Sequence, residues 1–148
     1  MVEIIPSSDR NSTLINELVA IWEKSVKATH LFLTDEDIKS IRPEVITGLN
    51  AIPVLCISSY QDKVIGFAGI AENKLEMLFI SPAYLGRGFG YELLTYAQKN
   101  FALTYVDVNE QNPKALAFYE RQGFSIYKRS PKDDAGRDFP ILHLIKRS

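Results

Sequence analysis

The stretch Leu75-Glu76-Met77-Leu78-Phe79-Ile80-Ser81-Pro82-Ala83-Tyr84-Leu85-Gly86-Arg87-Gly88-Phe89-Gly90-Tyr91-Glu92-Leu93-Leu94 decides the fold. It opens as an apolar strand, turns at Ser81-Pro82, passes three glycines at alternate positions and enters a helical pattern at Tyr91. A strand, a glycine-rich turn and a helix start make an anion site. Glycines let the backbone approach a phosphate closely, and the first helical N–H groups have no partner of their own. The expectation is a loop that holds a pyrophosphate. The plainer reading is a tight turn whose glycines supply only positive φ.

Working outward toward the N-terminus, Pro53–Tyr60 and Val64–Ala71 read as two strands joined at Gln61-Asp62-Lys63, and Glu72-Asn73-Lys74 turns into the strand at Leu75. The three form a meander. Before it, apolar residues fall at helical spacing from Leu14 to Val26, with Trp22 on the buried stripe. Ala28-Thr29-His30-Leu31-Phe32-Leu33 reads as a connector carrying more large apolar residues than a solvent loop needs. Thr34 followed by Asp35-Glu36-Asp37 starts a second helix, which Pro43 breaks or restarts on its way to Leu49. Val2–Ile5 reads as a short first strand.

Toward the C-terminus, the helix after the glycines reaches about Asn100, and Tyr105-Val106-Asp107-Val108 is a short strand. Strand, helix, strand in this order implies a parallel pair. Asn112-Pro113 is a helix start, with Asn as N-cap and Pro in the first turn, and Gly123 ends that helix. Phe124–Tyr127 and Pro140–Leu144 are two final strands, separated by the polar loop Asp133-Asp134-Ala135-Gly136. The expected class is α/β (α+β): one domain over residues 1–148, with about seven strands and about four helices.

Composition narrows the function. Apolar residues make up 46% and charged residues 24%, and the net charge of −1 gives no electrostatic case for nucleic acid or an anionic membrane. Cys56 is the sole cysteine, which excludes an internal disulfide and reads as buried core. No apolar run approaches the roughly 20 residues of a membrane span, and the N-terminus lacks a signal-peptide pattern. The expectation is a soluble cytoplasmic protein.

The glycine loop fails the common nucleotide fingerprints. A dinucleotide loop needs glycines at the first, third and sixth positions, and Tyr91 stands at the sixth. A triphosphate loop needs Gly-Lys-Ser/Thr, which is absent, and a kinase loop sits between two strands, whereas this one opens a helix.

With the second half of the chain read, the sequence resembles the GNAT superfamily of acetyl-CoA-dependent N-acetyltransferases. Leu85-Gly86-Arg87-Gly88-Phe89-Gly90 resembles the family's Arg/Gln-x-x-Gly-x-Gly/Ala loop. Asn112-Pro113-Lys114-Ala115 and Phe118-Tyr119-Glu120-Arg121-Gln122-Gly123-Phe124 resemble its Asn-x-x-Ala…Phe-Tyr-x-x-x-Gly-Phe segment. Leu85 departs from the usual Arg or Gln, but phosphate contacts there are mostly backbone N–H groups. Trp22, Ser25-Val26, Ala28-Thr29-His30, Phe32-Leu33, Asn109-Glu110-Gln111-Asn112 and the Asp133–Leu144 tail are similar to a subgroup of small bacterial YjaB-like acetyltransferases.

The resemblance implies a mixed, mostly antiparallel sheet with the coenzyme A site between its two central parallel strands. It also implies direct acetyl transfer from acetyl-CoA to a primary amine (a small amine, an amino acid or a protein lysine) in a ternary complex, with no metal. Leu78, Phe79 and Ile80 would hold the thioester and pantetheine through their backbone. Gly86, Arg87, Gly88, Phe89, Gly90 and Tyr91 would hold the pyrophosphate, and Asn112 the pantetheine arm. Tyr119 would protonate the departing thiolate, a role suited to a hydroxyl that is neutral at pH 7. The plainer reading of Tyr119 is a core aromatic. Adjacent helical residues point about 100° apart, so it and Phe118 are not expected to share one core.

The base stays open. Glu76 shares a face with Leu78 by period two unless a bulge intervenes. Asp107 lies near the end of the adjacent strand, His30 is in the connector, and a water chain could replace any of them. Trp22, His30, Phe32 and Asp107 are the expected acceptor-site residues, and His143 reads as structural. The expected partners are acetyl-CoA and an amine, with no nucleic acid and no membrane, in a monomer or homodimer. The competing reading is a non-catalytic acyl-CoA sensor.

Overall fold

The structure is a computed structural model and describes residues 1–147. Its strands are β1 (Val2–Ile4), β2 (Val54–Tyr60), β3 (Lys63–Ala71), β4 (Lys74–Ile80), β5 (Tyr105–Asn109), β6 (Phe124–Ser130) and β7 (Ile141–Lys146). Its helices are α1 (Ser12–Thr29), α2 (Asp35–Ala51), α3 (Phe89–Phe101) and α4 (Pro113–Arg121). The strands form one sheet in the order β1-β2-β3-β4-β5-β7-β6. Every neighbouring pair is antiparallel except β4 and β5.

Two apolar clusters sit on opposite faces of this sheet. One gathers Leu93, Leu94 and Ala97 of α3 and Tyr119 of α4 over Ile70, Leu75, Ile80 and Val106. The other gathers Leu18, Trp22 and Val26 of α1 and Ile38 and Leu49 of α2 over Leu55, Ile57 and Phe67. The central β3 is buried over most of its length, because helices cover it on both faces.

Several boundaries depart from the sequence reading. The helix α1 continues through Ala28 and Thr29, where the Thr29 hydroxyl donates to the Ser25 carbonyl at 2.7 Å. Pro43 does not break α2, which runs unbroken from a Thr34–Asp37 capping box. A proline removes one backbone donor, and burial of Ile38 and Leu49 on either side holds the helix through that loss. Phe118 and Tyr119 do share one core: Tyr119 is buried in the α3–α4 cluster, and Phe118 packs against it with ring centroids 5.1 Å apart. Cys56 is buried, and burial pushes its thiol up to about 11.

The relationship that positions the site is the short contact between β4 and β5. They pair only at Lys74–Tyr105 and Leu75–Val106. Beyond Leu75 the edge of β4 that faces β5 has no strand partner, so its backbone groups are free to bind. At the same point the β3–β4 register shifts: Gly69 faces Met77, whereas the next residue, Ile70, faces Leu75. Glu76 is therefore the extra residue of a β-bulge. The bulge changes its face. Leu75, Leu78 and Ile80 pack in the α3–α4 cluster, whereas Glu76, Met77 and Phe79 line the opposite side. Gly69 accommodates this kink, since a Cβ there would stand 2.7 Å from Met77 Cε.

Candidate active site

Two cavities meet where β4 and β5 separate. The smaller, about 190 Å³, is lined by Leu75 to Phe79 of β4, Val106 to Asn109 of β5, and His30, Asn112, Ala115 and Tyr119. The larger, about 400 Å³, lies on the α1–α2 side, with aromatic walls from Trp22, Phe32, Phe79 and Phe139. His30, Glu76, Met77, Phe79, Asp107, Val108 and Asn109 line both. The junction thus carries two carboxylates and one imidazole.

Glu76 is half exposed there. Burial raises its pKa above the ordinary carboxylate value, Lys74 pulls it back, and Asp107 and Asp134 raise it further. Lys74 Nζ bridges the two acids, 2.8 Å from Asp107 and 3.8 Å from Glu76. Burial works against the Lys74 charge, but the bond to Asp107 and the charges of Glu76 and Asp134 outweigh it, and its pKa is raised.

His30 follows the C-terminus of α1. The Thr29 hydroxyl spends its hydrogen on Ser25, so at 2.9 Å from His30 Nδ1 it accepts. That leaves His30 Nε2 as a lone pair facing the junction. Burial lowers the ring's pKa to about 4, so it is neutral at pH 7. Tyr119 reaches the smaller cavity from α4, and burial pushes its pKa well above the ordinary phenol value. It is a neutral donor at any physiological pH. Asn112 is the N-cap of α4, accepting from Ala115 N at 3.3 Å, and also lines the smaller cavity.

The glycine loop lines neither of these cavities. Gly86 and Gly88 have φ of 75° and 88°, and a Cβ at either would meet no atom within 4 Å. Their backbone is strained for other residues, and the space above them is open. No side chain caps α3, whose N-cap is Gly88, so its first N–H groups remain free for an anion. The Arg87 side chain stands over Tyr60, 4.9 Å from the ring centroid, with Tyr84 and Phe89 at 5.5 and 5.6 Å. A Cβ at Gly90 would stand at ordinary contact distance, 3.8 Å, from the Phe118 ring and from Ile80. The Ile80 side chain is buried in the core and lines neither cavity. Tyr91 is exposed in the first turn of α3.

Sequence reasoning missed the wall made by the β6–β7 loop. Asp133, Asp134, Ala135, Arg137 and Phe139 all line the larger cavity. Arg137 ties this loop to α2 through Glu44 and lies 3.4 Å from Ser40 Oγ, while Phe139 packs on Phe32 with centroids 5.5 Å apart. The signal was a polar loop with two adjacent acids, and nothing local connects it to α2. His143 was read as structural, and its Nδ1 lies 2.7 Å from Asp107 Oδ1.

The sheet thus parts beside a bulge, with an uncapped, glycine-started helix over one side and an acid-lined aromatic cavity on the other. Residues 44–140 match the Acetyltransferase (GNAT) domain family, and the chain belongs to that family and is an N-acetyltransferase. It is 36% identical over 129 residues to the peptidyl-lysine N-acetyltransferase YjaB of Salmonella typhimurium, covering 87% of this chain and 89% of that protein. The solution structure of apo YjaB from Escherichia coli superimposes with a TM-score of 0.83 at 34% identity, covering 98% of this chain and 97% of the other. The PaiA N-acetyltransferase of Thermoplasma acidophilum, crystallised with coenzyme A, shares the fold at 21% identity and a TM-score of 0.69, covering 100% and 99%. Among the described residues, no helix is long and apolar enough to cross a membrane and no cluster of His, Cys, Asp and Glu could hold a metal.

Proposed function

We propose that this chain transfers the acetyl group of acetyl-CoA directly to a primary amine in a ternary complex, with a peptide lysine as the favoured acceptor. The observation that carries this reading is the junction: Glu76 and Asp107 line both the cavity along the parted strands and the aromatic cavity beside it. An amine in one space and a thioester in the other would meet at those carboxylates. The name of the YjaB relatives, peptidyl-lysine N-acetyltransferase, supports lysine as the acceptor.

Acetyl-CoA supplies the acetyl group as a thioester and a good leaving thiolate. The free edge of β4 at Leu78, Phe79 and Ile80 offers backbone groups to the pantetheine and carbonyl, and donors so placed stabilise charge that builds on a carbonyl oxygen. The N–H groups from Gly86 to Tyr91 hold the pyrophosphate, and Asn112 meets the pantetheine arm. Asp107 receives the acceptor's ammonium, with Trp22, Phe32 and the neutral His30 ring walling the space for its alkyl stem. Glu76, with its raised pKa, takes the amine's proton. Tyr119 gives a proton to the sulfur.

The test is thiol release from acetyl-CoA with a panel of lysine peptides, free amino acids and small amines, with the acetylated site located by mass spectrometry. Amine-dependent release with peptides supports the reading. Tight coenzyme A binding with no release by any acceptor would leave the protein an acyl-CoA sensor.

A further inference from the structure

We propose that His143 and Ser130 are positioning residues for the acceptor, holding the Asp107 carboxylate in the orientation that receives the ammonium. This rests on the reading of Asp107 as the acceptor's counter-ion. Asp107 Oδ1 lies 2.7 Å from His143 Nδ1, and Oδ2 lies 2.8 Å from Lys74 Nζ. Its two oxygens are thus held from β7 and from β4, the strands flanking β5 on either side. The second nitrogen of His143 is held too, with Ser130 Oγ 2.7 Å from Nε2.

Strand register makes this row. Asp107 and His143 are directly opposite each other in the β5–β7 ladder. Ser130 pairs with Ile141, two residues from His143 and so on the same face. The register shift between Ile126 and Lys128 sets that alignment. With the carboxylate as acceptor, Nδ1 carries the hydrogen, and the Ser130 hydroxyl donates to Nε2. Asp107 thus calls for the hydrogen on Nδ1, Ser130 holds the other end of the ring in place, and His143 holds the carboxylate.

The ionisable groups around Asp107 are Lys74 and Glu76 on β4 and His143 on β7, and Asp134 on the β6–β7 loop acts on Lys74 and Glu76. The two junction acids Glu76 and Asp107 share a single ammonium, Lys74. The same three residue types in this order make a hydrolytic triad when the serine faces substrate. Here Asp107 lines the cavities and neither His143 nor Ser130 does. The row faces the opposite way and serves the carboxylate.

The experiment varies a lysine peptide blocked at its α-amine, at saturating acetyl-CoA, for the full-length wild type, His143→Ala, His143→Asn, Ser130→Ala, Asp107→Asn and the Asp107→Asn/His143→Ala double variant. Calorimetric coenzyme A binding reports an intact fold. His143→Ala should raise the peptide KM about tenfold, the scale of one charge-assisted hydrogen bond, with a smaller change in kcat and unchanged coenzyme A affinity. His143→Asn keeps an N–H toward Asp107 and should recover most of the loss. Ser130→Ala should show a weaker KM effect of the same kind, and it carries the test if His143→Ala does not fold. The double variant should be no worse than Asp107→Asn alone. An impaired Asp107→Asn beside a normal His143→Ala, or additive losses in the double variant, overturns the positioning role alone. An Asp107→Asn enzyme with normal peptide KM overturns the acceptor reading of Asp107 itself, and this proposal with it. Labelling of Ser130 by a fluorophosphonate would make the serine a nucleophile and overturn the proposal.

Discussion

Asn112 Nδ2 lies 3.4 Å from His30 Nε2, joining the start of α4 to the end of α1 across the junction of the two cavities. Both orientations are determined by backbone partners. Asn112 Oδ1 accepts from Ala115 N, so its amide nitrogen faces His30, and Thr29, bonded to Ser25, forces His30 to present a lone pair. Neutral at pH 7 because it is buried, His30 accepts from Asn112 there.

Acid stability should report that state. The folded His30 has its pKa lowered to about 4 by burial, against an ordinary value near 6.5. Between those values the unfolded chain binds a proton that the folded chain does not, so stability is full above about pH 6.5 and falls as pH drops toward 4. The loss attributable to this group is about 2–3 kcal/mol. Denaturant unfolding at pH 7 and pH 4.5 should show a steeper decline for the wild type than for His30→Gln. Equal declines would mean that the ring is not held neutral.

Tyr119→Phe should lower kcat by about a hundredfold or more, the usual contribution of a positioned acid, while coenzyme A affinity stays near wild type. The rings of Phe118 and Phe124, 5.1 and 5.9 Å away, still pack against phenylalanine, so Tm should change little. Stopped thiol-release assays and calorimetry separate the two quantities. A variant with wild-type kcat would remove the acid role.

Glu76→Gln should trade activity for stability. Because the folded carboxyl has a raised pKa, its charged form costs stability that the protonated form does not. That cost appears as pH rises from the unfolded value, about 4.3, through the folded one. The variant should melt higher than wild type at pH 7 and equal to it at pH 4. In the wild type the rising limb of kcat/KM should lie above the ordinary carboxylate range and disappear in the variant. An unchanged limb would pass the base role to Asp107 or a water chain.

Gly88→Val should weaken coenzyme A binding more than it weakens the fold. A Cβ there meets no protein atom within 4 Å, so the main cost to the fold is the φ of 88°, about 1–2 kcal/mol. The branch would stand in the open space above the loop. Gly66→Val is the converse control: its Cβ would stand 2.9 Å from the Phe79 carbonyl oxygen, so it should lower Tm sharply. Isothermal titration with coenzyme A and thermal melts distinguish the pair, and wild-type affinity in Gly88→Val would move the pyrophosphate elsewhere.

Much of this protein is local. The strand–glycine–helix order at Leu75–Leu94, the capping box at Thr34 and the Asn112-Pro113 helix start depend on residues within a few positions of one another, so they were legible in the chain alone, as was the pairing of two motifs that identifies the family. Glu76 was not. Alternation put it beside Leu78, and a register shift opposite Gly69 turned it to the other face, because a bulge is settled by how two strands align and not by either strand's own pattern. The same holds for the walls of the larger cavity. Arg137 reaches α2, Phe139 reaches Phe32, and the side chain of Asp107 meets His143 across 36 residues. Such contacts join elements whose sequence separation carries no periodic signal. The strand–glycine–helix motif is thus inscribed in the sequence, while the shape of the larger cavity and the orientation of Glu76 and Asp107 toward it arise only when the sheet closes.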